Sequence, residues 1–161
     1  MKVKNIIYED FQNFKETSMF IGTEKCNWKC CIEQHLDPSI CQNSKLVNEE
    51  SLDISIHTII DQYINNDITH SIVFGGLEPI LQIDDILEFL YVLRWKKKCN
   101  DTVVIYTGYY PDEIENELEL LKHYENIIVK FGRYIPNATP KFDNTLGVML
   151  ASNNQYATYI S

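Results

Sequence analysis

Short apolar runs alternate along most of the chain with segments of helical periodicity. Four of these runs have the composition of buried strands: residues 17–22, 71–74, 102–106 and 126–130. Three intervening segments carry apolar side chains at helical spacing: residues 48–65, 82–98 and 111–123. Further strands are expected at residues 3–8, 146–150 and 156–160. This order is typical of right-handed βαβ units, so the sequence predicts an α/β fold with a largely parallel sheet.

Residues suited to ligand binding follow each of the four predicted core strands. They are a cysteine-rich segment, then Gly75-Gly76, then Thr107-Gly108, and finally the stretch from Lys130 to Arg133. Ligands of parallel sheets bind at the carboxyl ends of the strands. The sequence therefore predicts that the four loops meet at one edge of the sheet and form a binding site there.

The cysteine-rich segment holds Cys26, Cys30, Cys31 and Cys41, whereas Cys99 stands alone. Thiolates gathered after a strand suit soft metal ions or an iron–sulfur cluster. A disulfide framework is less favoured, because two of these cysteines are adjacent and no signal peptide is evident. The spacing differs from the paired Cys-x2-Cys pattern of structural zinc sites but leaves zinc open. A site with three protein ligands would need just one of Cys31 and Cys41.

Composition narrows the class of protein and of partner. A chain of 161 residues is expected to form one domain, residues 1–161. The net charge of −9 leaves no basic surface for a phosphate backbone, so nucleic acid is not an expected partner. No apolar run approaches the roughly twenty residues needed to cross a bilayer, and no membrane association is expected. We therefore expect a cytoplasmic protein, with its thiols reduced.

Six short stretches, taken together, resemble the radical S-adenosylmethionine (radical SAM) superfamily. Within it, the resemblance is to the activating-protein branch that serves anaerobic ribonucleoside-triphosphate reductase. The stretches that carry it are Cys26-Asn-Trp-Lys-Cys30, Cys41-Gln-Asn, Gly75-Gly-Leu-Glu-Pro79, Tyr106-Thr-Gly-Tyr109, Lys130-Phe-Gly-Arg-Tyr134 and Ala151-Ser-Asn-Asn-Gln155. The resemblance extends from about residue 18 to residue 155. It implies a partial (β/α) TIM-like barrel of parallel strands with outer helices, forming a single radical SAM-like domain.

The resemblance also implies a ligand set for a [4Fe–4S] cluster. In the superfamily a Cys-x3-Cys-x2-Cys motif holds the cluster, and Cys26 and Cys30 match its first two positions. Glu33 occupies the third position, and the asparagine expected soon after the third cysteine follows Cys41 instead. The implied metal ligands are therefore Cys26, Cys30 and Cys41, with Cys31 as the alternative to Cys41.

Further positions correspond to those that bind S-adenosylmethionine (SAM) in the superfamily. The resemblance assigns the amino group of SAM to the stretch that contains Gly75, Gly76 and Glu78. It places Thr107 near the ribose or carboxylate. The charges of Lys130 and Arg133 suit neutralising a carboxylate, and the uncharged amide of Asn154 suits holding a backbone or a ligand edge. Taken singly, these stretches are also typical of turns at strand ends and of solvated charges.

The implied activity is reductive cleavage of SAM to methionine and a 5′-deoxyadenosyl radical. In the branch that the chain resembles, this radical takes a hydrogen atom from a glycine of anaerobic ribonucleotide reductase, a glycyl radical enzyme. The implied electron donor is a reduced flavodoxin- or ferredoxin-type carrier. Two alternatives stay open: a radical SAM enzyme that acts on a small molecule or peptide, and a non-catalytic zinc or iron–sulfur module.

Overall fold

The computed structural model describes residues Met1–Ser161 and contains nine strands and four short α-helices. The strands are β1 (Lys2–Asp10), β2 (Ser18–Thr23), β3 (Leu52–Asp53), β4 (Ser71–Gly76), β5 (Thr102–Tyr106), β6 (Ile127–Phe131), β7 (Lys141–Asp143), β8 (Val148–Leu150) and β9 (Tyr156–Tyr159). The helices are α1 (Lys29–Ile32), α2 (Ile56–Ile64), α3 (Ile83–Tyr91) and α4 (Glu115–Leu121). No helix combines the length and apolar character that crossing a membrane requires.

Seven strands form one mixed sheet in the order β3-β1-β2-β4-β5-β6-β9. The four central strands β2, β4, β5 and β6 are mutually parallel. β1 is antiparallel to β2, β3 is antiparallel to β1, and β9 is antiparallel to β6. The remaining strands, β7 and β8, form a separate antiparallel hairpin.

The predicted partial TIM-like barrel with outer helices is therefore wrong. The sheet is open and mixed, and its longest helices have nine residues each. The error concerns strand direction, which an apolar run does not encode. Residues 11–17 are too short a link for a parallel crossover, which needs a dozen or more residues. β1 and β2 consequently pair as antiparallel neighbours.

The predicted helices form, but their bounds differ from the apolar periodicity. α2 begins at Ile56, because residues 48–55 contain part of a 3₁₀ turn and the short strand β3. α3 continues into a π-helical turn at Val92–Lys96, so together they span most of residues 82–98. The third segment divides into a 3₁₀ turn at Pro111–Glu113 and α4. α2 lies in the crossover from β2 to β4, α3 in that from β4 to β5, and α4 in that from β5 to β6.

The two faces of the sheet are covered differently. Alternate side chains such as Ile72 and Phe74 face the main core, where Phe74 meets Phe89 of α3 edge-to-face with ring centroids 5.1 Å apart. Val73, between them, faces a smaller apolar core that includes Leu150 of the β7–β8 hairpin. This alternation follows from the two-residue period of a strand. The hairpin covers part of the second face and leaves the carboxyl ends of the parallel strands open beside it.

Candidate functional site

The parallel strands end side by side, in register. Gly75 of β4 lies opposite Gly22 of β2, and Tyr106 of β5 lies opposite Lys130 of β6. The loops that follow these strands therefore begin at one edge of the sheet, as predicted. A cavity of about 300 Å³ opens at this edge.

We refer to this space as the thiol cavity, because three cysteine side chains line it. Its wall contains Cys26, Cys30, Cys41, Gly75, Gly76, Glu78, Thr107, Gly108 and Lys130, together with Asn13, Tyr106, Tyr134, Leu150 and Gln155 among others. Eight residues predicted for metal or cofactor binding are thus in one wall, whereas Arg133 is not. Asn154 is not, and its neighbour Gln155 lines the cavity instead.

The structure separates the two candidates for a third thiol ligand. Cys41 lines the thiol cavity with Cys26 and Cys30, whereas Cys31 is 3% exposed and does not line it. The Cys31 sulfur lies 3.9 Å from the Cys30 sulfur. None of the cysteines is in a disulfide. This placement favours Cys41 over Cys31 as a ligand.

The pKa values of the three cavity thiols are shifted in different directions. A bond from the Cys41 thiol holds the pKa of Cys30 below its usual range and raises the pKa of Cys41. Burial raises the pKa of Cys26, although the amide of Trp28 donates to its sulfur at 3.3 Å. Metal ligands must be thiolates, so binding a metal here releases protons.

The backbone turns sharply between the first two cysteines. Trp28 has a left-handed φ of 57°, and its carbonyl accepts hydrogen bonds from the amides of Cys31 and Ile32 at 2.9 Å. These bonds begin α1, which carries Cys30 at its second position. The turn thereby brings Cys26 and Cys30, four positions apart, to the same cavity.

The donor set of the thiol cavity fits an iron–sulfur cluster. Thiolates are the usual ligands of [4Fe–4S] clusters, in which each thiolate binds its own iron. Such ligands surround the cluster and do not converge on one point. No group of three or more His, Cys, Asp or Glu side chains in the structure is close enough together to hold a metal ion.

Glu78 joins the ends of two parallel strands. Its buried carboxylate accepts hydrogen bonds from the Thr107 hydroxyl at 2.7 Å, the Gly108 amide at 2.9 Å and the Ile80 amide at 3.2 Å. Burial raises the pKa of Glu78, and the three donors and the nearby Lys130 oppose this rise. Glu78 therefore fixes the loop after β4 to the loop after β5.

Lys130 is the one positively charged residue in the cavity wall. It is 7% exposed, and its ammonium donates to the carbonyl of Gly132 at 3.2 Å. Burial lowers its pKa to about 8, although the nearby Glu78 and Cys30 favour the charged form. An ammonium has three donors. Two of them stay available for an anionic ligand in the cavity.

The two glycines at the end of β4 are required by packing within the protein. A Cβ on Gly76, where φ is +81°, would lie 2.9 Å from the Leu46 side chain and 3.0 Å from the Gly22 Cα. A Cβ on Gly75 would lie 2.8 Å from the ring of Phe20. The Asn43 amide also donates to the Gly76 carbonyl at 2.5 Å. Gly76 thus anchors the segment that carries Cys41.

Arg133 and Asn154 do not line the thiol cavity. Arg133 forms ion pairs with Glu33 and Glu113, so its guanidinium is already occupied. The Asn154 side-chain amide donates to the Arg133 carbonyl at 2.9 Å and to the Tyr110 hydroxyl at 3.0 Å. These contacts make both residues parts of the support of the site.

The ion pairs of Glu113 predict a loss of stability in acid. Hydrogen bonds from Arg133, and secondarily Lys29, lower the Glu113 pKa from 4.5 to about 2. A lowered folded-state pKa stabilises the protein above the unfolded value, and this stability disappears as pH falls towards 2. Between pH 5 and 2, wild-type protein without metal should lose about 2 kcal/mol more unfolding free energy than Glu113→Gln, after allowance for solvent screening.

Urea unfolding across this pH range measures the difference. Asp112→Asn is the control, because Asp112 is an exposed neighbour without an ion pair. Its curve should follow that of the wild type. Parallel pH dependence of Glu113→Gln and the wild type would contradict the prediction.

Several lining residues were missed from the sequence. Tyr106 directly precedes Thr107, and strand alternation could have placed it on the face opposite Ile105. Its hydroxyl donates to the Asn13 carbonyl at 2.5 Å. Asn13 itself carries no sequence signal, because its position depends on how the link between β1 and β2 folds back over the sheet.

A comparison with known families agrees with the chemistry of this site. The model of a family described as a 4Fe-4S single cluster domain matches residues 16–156, which include all the cysteines. No curated protein matches the chain. The match covers well over half of the sequence. The chain therefore belongs to the 4Fe-4S single cluster domain family, an iron–sulfur family related to the radical SAM proteins.

Proposed function

We propose that the protein is a radical SAM enzyme that uses a [4Fe–4S] cluster to cleave SAM reductively. The observation that carries the proposal is the composition of the thiol cavity. Three thiols, a carboxylate and a lysine ammonium line one space of about 300 Å³ at the carboxyl ends of parallel strands. This volume is at the lower end of the range for small-molecule sites.

The chain's own residues would hold and orient the two cofactors. Cys26, Cys30 and Cys41 would ligate the cluster, and the Lys130 ammonium would bind the carboxylate of SAM. Glu78 accepts three hydrogen bonds, and a carboxylate has about four lone-pair sites, so one stays available for the amino group of SAM. When bound, the reduced cluster would supply the one electron needed to cleave SAM to methionine and a 5′-deoxyadenosyl radical.

The proposed target is a glycine of anaerobic ribonucleotide reductase, and the proposed electron donor is a reduced flavodoxin- or ferredoxin-type protein. Both proposals rest on the motif resemblance. Two exposed apolar side chains near the cavity are compatible with a protein target. Met149 in the wall is 60% exposed, and Phe11, adjacent to the lining residue Gln12, is 69% exposed.

Anaerobic incubation tests the cleavage reaction. Protein reconstituted with iron and sulfide should release 5′-deoxyadenosine and methionine from SAM when dithionite is added. Lys130→Ala should retain its iron but release at least about tenfold less product at low SAM, since a charge-assisted hydrogen bond contributes about 1.5–3 kcal/mol. Lys122→Ala is the control, because Lys122 is an exposed lysine directly after α4 and does not line the thiol cavity.

The outcomes separate the three functional hypotheses. Absence of 5′-deoxyadenosine from fully reconstituted protein would refute radical SAM activity and leave a non-catalytic iron–sulfur module. Cleavage with a glycyl radical signal on added reductase would support the activating function. Cleavage without that signal, accompanied by hydrogen abstraction from a peptide or small molecule, would support the alternative substrate class.

A further inference from the structure

Four charged side chains form a network beside the thiol cavity: Lys29, Glu33, Glu113 and Arg133, here named the ionic clamp. The Arg133 guanidinium pairs with both carboxylate oxygens of Glu33, at 2.9 and 3.1 Å. It also lies 2.5 Å from Glu113. Lys29 bonds to Glu113 and lies 3.8 Å from Glu33. The two negative and two positive charges of the ionic clamp therefore neutralise each other.

Arg133 makes further contacts beyond its ion pairs. Its side chain is 7% exposed, and its guanidinium carbon lies 5.5 and 5.1 Å from the ring centroids of Tyr109 and Tyr110. The guanidinium also donates to the carbonyl of Gly108. A two-point arginine–carboxylate pair fixes orientation as well as distance. Glu33 is consequently held in one direction, towards the loop after β6.

The ionic clamp acts on the helix that carries Cys30. Lys29 directly precedes Cys30, and Glu33 follows it at the end of α1. Next to Glu33, the Gln34 side chain donates to the carbonyls of Cys30 at 2.6 Å and Tyr134 at 2.9 Å. A helix of four residues is far too short to be stable by itself in water. Contacts outside the helix must therefore hold it in place.

We propose that the ionic clamp positions Cys30 for cluster binding, with Glu33 acting as a positioning residue and not as a metal ligand. Glu33 occupies the place of a third cysteine in the regular motif, yet its carboxylate is bound to Arg133. Cys41 is anchored separately, through the bond between Asn43 and Gly76. The inference concerns the iron–sulfur site alone, so it does not depend on SAM cleavage.

Iron release from the reconstituted protein tests the proposal. Glu33→Ala should assemble a cluster with the wild-type iron and sulfide content, because all thiols are present. It should then lose iron to an anaerobic chelator about tenfold faster, as expected when a residue that orients a ligand is removed. Glu33→Gln keeps one acceptor oxygen for Arg133, so its release rate should lie between those of Glu33→Ala and the wild type.

The matched control is Glu119→Ala, which removes an exposed ion pair with Lys122 on α4. Its iron content and release rate should equal those of the wild type. A wild-type release rate for Glu33→Ala would overturn the proposal, because the clamp would then not hold the thiol. A Glu33→Ala protein with the iron content of a cysteine-ligand variant would also overturn it, because Glu33 would then be a ligand.

Discussion

Cys41→Ala should lose the cluster, whereas Cys31→Ala should retain it. Cys41 lines the thiol cavity with Cys26 and Cys30, but Cys31 is buried outside its wall. Losing a ligand should cost more than losing a residue that orients one. We therefore expect at least about tenfold less iron in reconstituted Cys41→Ala than in the wild type. Iron and sulfide analysis with the visible absorption of the cluster measures this difference.

Cys99→Ala is the matched control for both substitutions. Cys99 is a partly buried cysteine that does not line the cavity, and its replacement should leave the iron content unchanged. Cys31→Ala should lose about 1 kcal/mol of folding stability, since it leaves a small void in a packed site. A cluster that survives in Cys41→Ala and disappears in Cys31→Ala would reverse the assignment of the third ligand.

Glu78→Ala should strongly destabilise the protein even without a metal. The substitution leaves the Thr107 hydroxyl and the amides of Gly108 and Ile80 without their acceptor. Each buried donor left unsatisfied costs about 1–3 kcal/mol, so we expect a loss of about 3 kcal/mol in unfolding free energy. Urea unfolding of the metal-free protein at neutral pH measures it.

Two further variants define what Glu78 contributes. Glu78→Gln keeps one acceptor oxygen and should lose less stability than Glu78→Ala. Glu88→Ala changes an exposed glutamate on α3 and should stay within about 0.5 kcal/mol of the wild type. If Glu78→Ala were as stable as Glu88→Ala, the connection between the ends of β4 and β5 would not depend on this carboxylate.

Local sequence patterns were sufficient to predict the central strands and helices. Residues 102–106 form β5 with the predicted bounds, and α3 with its π-helical continuation fills most of the segment predicted as helical. The direction of the outer strands was not predictable in this way. β9 follows a hairpin and returns antiparallel to β6, and this pairing produces an open sheet in place of a partial barrel.

The candidate site divides in the same way between sequence and tertiary structure. The sequence determined which thiols, glycines and charged groups follow the parallel strands, because side-chain chemistry and strand order are properties of the chain itself. Tertiary structure decided that Cys41 lines the cavity and Cys31 does not, and that Arg133 binds Glu33. Such choices join residues far apart in sequence, and they depend on burial and hydrogen-bond geometry that arise when the sheet assembles.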